Sequence, residues 1–138
     1  MRYFKGDYKY ILSEAVHYKT SIHSGGATLP FCSIDPDGHL VVLRGYAWDG
    51  PSGPTVTTKS FMRGSLIHDA LYQLLRETEF GAIGSAHGYR RGAADRILWH
   101  VCLLDGMWKW RAAWVYRGVR LGGGPSARTK KRRVYVAP

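Results

Sequence analysis

The apolar positions of the chain fall into two regimes. Up to about residue 47 they alternate loosely with polar ones: Tyr8, Tyr10 and Leu12, then Val16 and Tyr18, then Ala27 to Ile34 and His39 to Arg44. A period near two, filled with aromatic and β-branched side chains, predicts strands. The last two segments flank Asp35-Pro36-Asp37-Gly38. Proline presets φ for the first central position, aspartate bonds its own backbone and glycine accepts positive φ, so these four residues predict a hairpin turn. Tyr46-Ala47-Trp48-Asp49-Gly50-Pro51-Ser52-Gly53-Pro54 then breaks the pattern, and its glycines and prolines predict a loop with free backbone carbonyls and one carboxylate. Beyond it the period lengthens and three helices are expected. The first runs from about Lys59 to Glu77, capped by Thr57 or Ser60, with Phe61, Leu71, Leu74 and Leu75 turned inward. The second runs from about Arg91 to Leu104 after the break Gly81 to Gly88, carries the stripe Ala94, Ile97, Leu98, Val101 and Cys102, and stops at Asp105-Gly106, where glycine suits a left-handed cap. The third runs from about Trp108 to Arg120, with Trp110, Trp114 and Val115 expected in the core. Strands, a loop and then helices predict a single α+β domain over residues 1–125: an N-terminal antiparallel β portion followed by a helical half.

Composition narrows the class. With 45% hydrophobic and 13% aromatic residues in 138, the chain can bury a core and is not a disordered one. No apolar run approaches the roughly 20 residues needed to cross a bilayer. The segment Met1 to Asp7 lacks the apolar centre of a secretory signal. Two cysteines, Cys32 and Cys102, are too few for a disulfide scaffold, so the fold rests on packing and on any metal.

The net charge is +10, and half of it sits on Arg128, Lys130, Lys131, Arg132 and Arg133. Residues 126–138 therefore read as a basic tail. Such a tail either keeps the chain soluble or binds anions: nucleic acid, acidic lipid headgroups or an acidic protein face. Trp108, Trp110 and Trp114, interleaved with Lys109, Arg111 and Arg117, suggest an interfacial belt for lipid, a stacking surface for single strands, or a stripe half core and half solvated.

The residues with chemistry to offer are Asp49, His68, Asp69, Tyr72 and Asp95. His68, Tyr72 and Leu75 lie at i, i+4 and i+7, on one face of the first helix. If the first two helices pack antiparallel, Asp95 reaches that face, accepts one imidazole N–H and leaves the other ring nitrogen as a base. Tyr72 then hydrogen-bonds Asp95. Asp69 points about 100° away, towards the carbonyl-rich loop. Asp69, Asp49 and carbonyls of Trp48, Gly50 and Gly53 are the oxygen donors that a hard cation such as Ca²⁺ takes. The pattern is that of a water-using esterase, in which a cation stabilises the oxyanion. The same residues also satisfy a simpler description, a buried polar network holding two helices together.

Two resemblances bear on the choice. Trp48-Asp49-Gly50-Pro51-Ser52-Gly53-Pro54, His68-Asp69-Ala70-Leu71-Tyr72, Ala94-Asp95-Arg96, Gly106 and Tyr116-Arg117-Gly118-Val119-Arg120 resemble, in order and over about residues 27–124, a small family of unknown function found in bacteriophages and prophages. The likeness implies a phage or prophage origin; with no secretory signal, synthesis in the host cytoplasm is expected, with packaging in the virion as one destination. Over about residues 46–100, the glycine-bearing loop, His68-Asp69-Ala70-Leu71-Tyr72 and Asp95-Arg96 are similar to the secretory and parvoviral phospholipases, which cleave the sn-2 ester with Ca²⁺. That resemblance implies His68 as general base, Asp95 as its orienting acid, Asp69 as a Ca²⁺ ligand and loop 46–53 as a source of carbonyls, with anionic phospholipid of the host envelope as substrate. The loop departs from that family's glycine pattern, and its disulfides are absent. The phage likeness alone also fits a non-catalytic head or tail component, whose basic tail contacts nucleic acid or neighbouring subunits. Ser85-Ala86-His87 with Asp95 and Trp99-His100 is similar to zinc D-Ala-D-Ala peptidases, but the first spacing is one residue too long and Trp99-His100 follow on the same predicted helix.

Overall fold

The computed structural model describes residues 1–6, 10–50, 59–78 and 85–122, the first four of the last segment by backbone alone. The basic tail, Tyr8, residues 51–58 with Gly53 and Thr57, and residues 81–84 of the break at 81–88 lie outside the described residues.

Among the described residues seven short strands precede three helices: β1 (Tyr3–Lys5), β2 (Tyr10–Leu12), β3 (Val16–Lys19), β4 (Ala27–Thr28), β5 (Cys32–Ile34), β6 (His39–Val42), β7 (Ala47–Trp48), α1 (Lys59–Glu77), α2 (Ser85–Leu104) and α3 (Lys109–Gly122). The domain is α+β, as expected. The strands form two antiparallel sheets, one of three strands in the order β1-β2-β7 and one of four in the order β3-β6-β5-β4. The stretch read as one alternating segment, Tyr8 to Tyr18, is interrupted between β2 and β3, and the two parts join different sheets. The expected loop at 46–54 also begins as a strand: β7 pairs with β2, Tyr10 opposite Trp48, and the Tyr46 carbonyl accepts the Leu12 N–H at 2.8 Å.

The hairpin forms where its turn chemistry places it. The Asp35 carboxylate accepts the His39 N–H at 2.9 Å, the Asp35 carbonyl accepts the Gly38 N–H at 3.0 Å, and Gly38 has φ +91°. Gly38 is also pressed against its neighbours, since a Cβ there would lie 2.6 Å from the Ile22 carbonyl oxygen and 2.7 Å from Thr20 Oγ1. Gly38→Ala is therefore expected to cost about 2 kcal/mol, from the left-handed backbone and the overlap together. An urea melt with an unchanged slope and a lowered midpoint would show it, and an unchanged midpoint would show that the turn relaxes freely.

Helix α1 is the centre of the molecule. Twelve of its 19 residues are buried, because it is covered on more than one side. Leu66, Ile67, Ala70, Leu71, Leu74 and Leu75 join Leu12, Ile34, Leu40, Val42 and Trp48 from the strands, Ile22 from the connection between β3 and β4, and Ala93, Ala94 and Val101 from α2 in the main core. A smaller cluster of Phe61, Leu98, Cys102, Met107, Ala112 and Val115 seals α3 onto the other two helices. Helices α1 and α2 run antiparallel: Arg63 grips Asp105 through two bonds of 3.0 and 2.7 Å at one end, and His68 meets Asp95 further along. They approach closely at Gly64, where a Cβ would stand 2.9 Å from Cys102 Sγ. The chain then reverses at Gly106 (φ +93°), whose following residue Met107 donates its N–H to the Cys102 carbonyl at 2.9 Å, and α3 packs antiparallel on α2. Cys32 and Cys102 are both free and buried.

Two helix boundaries differ from expectation. Ser60 lies inside the first turn of α1 and not at its cap. Helix α2 begins at Ser85, two turns before Arg91, so Asp95 sits in mid-helix. Of the three residues expected in the core from α3, Val115 is there, while Trp110 and Trp114 face solvent.

Candidate functional site

Site geometry follows from helix spacing. His68 and Tyr72, one turn apart on α1, present their rings side by side with centroids 4.1 Å apart. Both face α2, where Asp95 is fully buried. Asp95 Oδ1 accepts two bonds, from His68 Nε2–H at 2.7 Å and from the Tyr72 hydroxyl at 2.6 Å. Its other oxygen, Oδ2, accepts a bond from Arg120 Nη1 of α3 at 2.9 Å. All three helices thus meet on one carboxylate. Arg91 of α2 bonds the Val119 and Arg120 carbonyls at 2.9 Å each, which satisfies the end of α3 and fixes the backbone that carries Arg120. A buried carboxylate is costly unless it is paired and hydrogen-bonded, and three charge-assisted or short bonds meet that requirement.

The electrostatics follow from this packing. Burial works against ionising Asp95, but the bonds from His68 and Tyr72, the His68 charge and the Arg120 guanidinium together hold its carboxyl below the ordinary 3.8. Burial likewise disfavours an imidazolium, yet the Asp69 carboxylate beside Nδ1 and the hydrogen bond and charge of Asp95 outweigh it and raise His68 above its usual 6.5. Burial, reinforced by the Asp95 carboxylate, pushes the Tyr72 phenol up, so it stays a donor.

With Nε2 committed to Asp95, the ring's Nδ1 is left on the side of Asp69, whose carboxylate lies 3.8 Å away and is partly exposed. The imidazole is almost enclosed, its side chain being 8% exposed. The stripe Asp69, Gln73 and Glu77 continues along α1 to a cleft of about 290 Å³ lined by Phe31, Cys32, Tyr46, Gln73 and Glu77. Asp69 also bears on Tyr46, which burial first and the neighbouring acid second drive up.

His68, Asp95 and Tyr72 are therefore together. The oxygen donors expected for Ca²⁺ are only partly placed. Asp49 is exposed at the end of β7. Trp48 is buried, its indole N–H bonding Ser65 Oγ at 3.2 Å, which anchors the start of the loop one turn before His68. Gly50, two residues past β7, is buried against the Tyr10 ring with φ +78°, and Gly53 is outside the described residues. Among the described residues no group of three or more His, Cys, Asp and Glu side chains stands in metal-ligating proximity. The five basic residues of the tail lie outside the described part of the chain.

Two contributors were not found by sequence reasoning. Ser65 gives no signal beyond its place on a buried face. Arg120 does give one, since a buried Asp95 calls for a second cation and Arg120 lies on the inner side of α3 together with Val119. His17 and His39, whose sequence spacing suggests no site, are brought across β3 and β6 with ring nitrogens 3.2 Å apart on the exposed surface.

No family model, curated protein or solved structure matches the chain.

Proposed function

We propose that the protein is a phospholipase-like ester hydrolase, encoded by a phage or prophage and acting on envelope lipid with a hard cation such as Ca²⁺. The observation that carries this reading is the 2.7 Å contact between His68 Nε2 and the Asp95 carboxylate, an acceptor that requires the proton on Nε2 and leaves Nδ1 on the side of the partly exposed Asp69. An imidazole so fixed, once neutral, is a base with one free lone pair. Nδ1 takes a proton from water as the water oxygen bonds to the ester carbonyl carbon. The imidazolium that forms is stabilised by Asp95, then returns the proton to the leaving alkoxide as the ester C–O bond breaks. Tyr72 and Arg120 keep Asp95 ionised throughout. The carboxylate beside Nδ1 is a hard oxygen donor, so Asp69, joined by Asp49 and loop carbonyls, would hold Ca²⁺, which when bound would supply charge for the oxyanion.

The test is release of fatty acid from phosphatidylglycerol vesicles in Ca²⁺, compared between the natural protein and His68→Ala, with a chelator arm. Release that requires His68 and is abolished by the chelator supports the reading. Release that is identical in His68→Ala, or absent from the natural protein, removes it.

One observation favours a second reading. Arg120 occupies Asp95 Oδ2, so every oxygen of the carboxylate is satisfied, as in a network that merely joins helices. On that reading the chain is a virion component whose basic tail grips nucleic acid or a neighbouring subunit, and it copurifies with particles whether or not His68 is present.

A further inference from the structure

Helix α3 is apolar on two opposite faces. Its inner face, Ala112, Val115 and Val119, packs on α2 and α1. Trp110, Trp114, Arg117 and Leu121 follow at spacings of four, three and four, which puts them on one stripe of the other side. There Trp110 is 63%, Trp114 70% and Leu121 89% exposed. Trp108, 72% exposed, extends the patch with its ring 6.3 Å from that of Trp110. A surface helix normally turns charge to the solvent, and an exposed apolar patch of this kind marks a contact.

Charge identifies the occupant. Residues 85–122 contain seven Arg and Lys and two acids. Both acids are consumed inside the fold, Asp95 by His68 and Arg120, and Asp105 by Arg63. What the stripe shows beside its indoles is Lys109 and Arg117, both exposed. A second copy placed on the same face by a twofold axis would set these cations against themselves. Single-stranded nucleic acid would use the indoles for stacking but offers nothing to Leu121. An anionic bilayer surface answers each feature: indoles sit at the boundary of apolar and wet regions, leucine enters the acyl layer, and long cationic side chains reach the headgroup phosphates.

We infer that the outer face of α3 docks the protein flat onto an anionic lipid surface. This names the surface on which the proposed hydrolase meets its substrate and so extends that reading, although docking itself needs no turnover. Because Arg120, on the inner side of the same helix, holds Asp95, the docking helix is also a wall of the His68 site.

The experiment uses the full chain and vesicles of phosphatidylglycerol and phosphatidylcholine with brominated acyl chains. Tryptophan emission should shift to the blue and be quenched. Partitioning should fall at least about tenfold in the double variant W110S/W114S, whose substitutions are on exposed residues and leave the melting temperature in place. At about 0.5 M salt, where the contribution of the basic tail is screened, the difference between the two proteins should persist. His68→Ala should partition like the natural protein, so loss of hydrolysis and loss of docking are read separately. Equal partitioning of W110S/W114S overturns the inference. So does a natural protein that is dimeric by light scattering and becomes monomeric in that variant, or one whose indoles are quenched by an oligonucleotide and untouched by the vesicles.

Discussion

Asp95→Asn lowers stability by about 3–5 kcal/mol, the cost of removing one partner from a buried charge network. The loss has a definite origin. The amide is neutral, so His68 and Arg120 lose the counter-charge that both of them face. Arg120 is 36% exposed along its side chain and can turn to water, whereas His68 is enclosed and must give up its proton. Tyr72 keeps a carbonyl to donate to, which limits the damage. The variant should remain folded at low temperature and melt roughly 10 °C earlier or more, on the scale usual for a domain of this size. A melting temperature within a degree or two of the natural protein would mean that the three-helix junction is held by the apolar contacts alone.

On the proposed hydrolase reading, His68→Ala should reduce ester hydrolysis by about 10²–10⁴-fold, the usual worth of a positioned general base. The pH dependence is the sharper observation, because one proton governs two quantities in opposite senses. Catalysis needs the neutral imidazole, and the folded protein holds the proton above 6.5, so activity should climb with pH through a midpoint higher than that of a free histidine. Stability runs the other way. The contribution from His68 is complete below 6.5, its unfolded value, and is lost as pH rises through the raised folded value. Asp95, held below 3.8 in the folded protein, contributes fully above 3.8 and is lost as pH falls through its depressed value. The protein should therefore be most resistant to urea in mildly acidic solution and most active in mildly alkaline solution. In Asp95→Asn the rising limb of whatever activity survives should move to lower pH. A limb that stays put would show that another group titrates.

What could be read from the sequence was decided by how local the cause was. The Asp35–Gly38 turn was legible because its four residues carry their own geometry, and the Asp105-Gly106 stop for the same reason. The union of His68, Tyr72 and Asp95 was legible because helix spacing fixes two of them and antiparallel packing, the default for consecutive helices with a short connection, brings the third. The division of the strands into two sheets was not, because Ser13-Glu14-Ala15 is too short to look like a boundary and only the pairing of β2 with β7 reveals it. The start of α2 was hidden by glycines at 81, 84 and 88, which signal a break more loudly than the turns they flank signal a helix. Trp110 and Trp114 misled for a physical reason. Large aromatic residues at helical spacing describe a core stripe and a docking stripe equally well, and which side faces the protein depends on Ala112 and Val115, small residues whose pattern carries little weight. Arg120 was concealed in the same way, since its role is defined by a carboxylate 25 residues earlier.

The two thiols offer an experimental convenience. Cys32 is buried in the β half and Cys102 under the crossing of α1 and α2, and burial first of all, with a neighbouring acid adding to it, pushes each up to about 12. Nucleophilic thiolate is thus scarce at any ordinary pH, and maleimide dyes should ignore both positions in the native state. A single cysteine introduced at Leu121 would then be the one labelled atom of the chain, so an environment-sensitive probe can be attached there without first stripping out the native sulfurs.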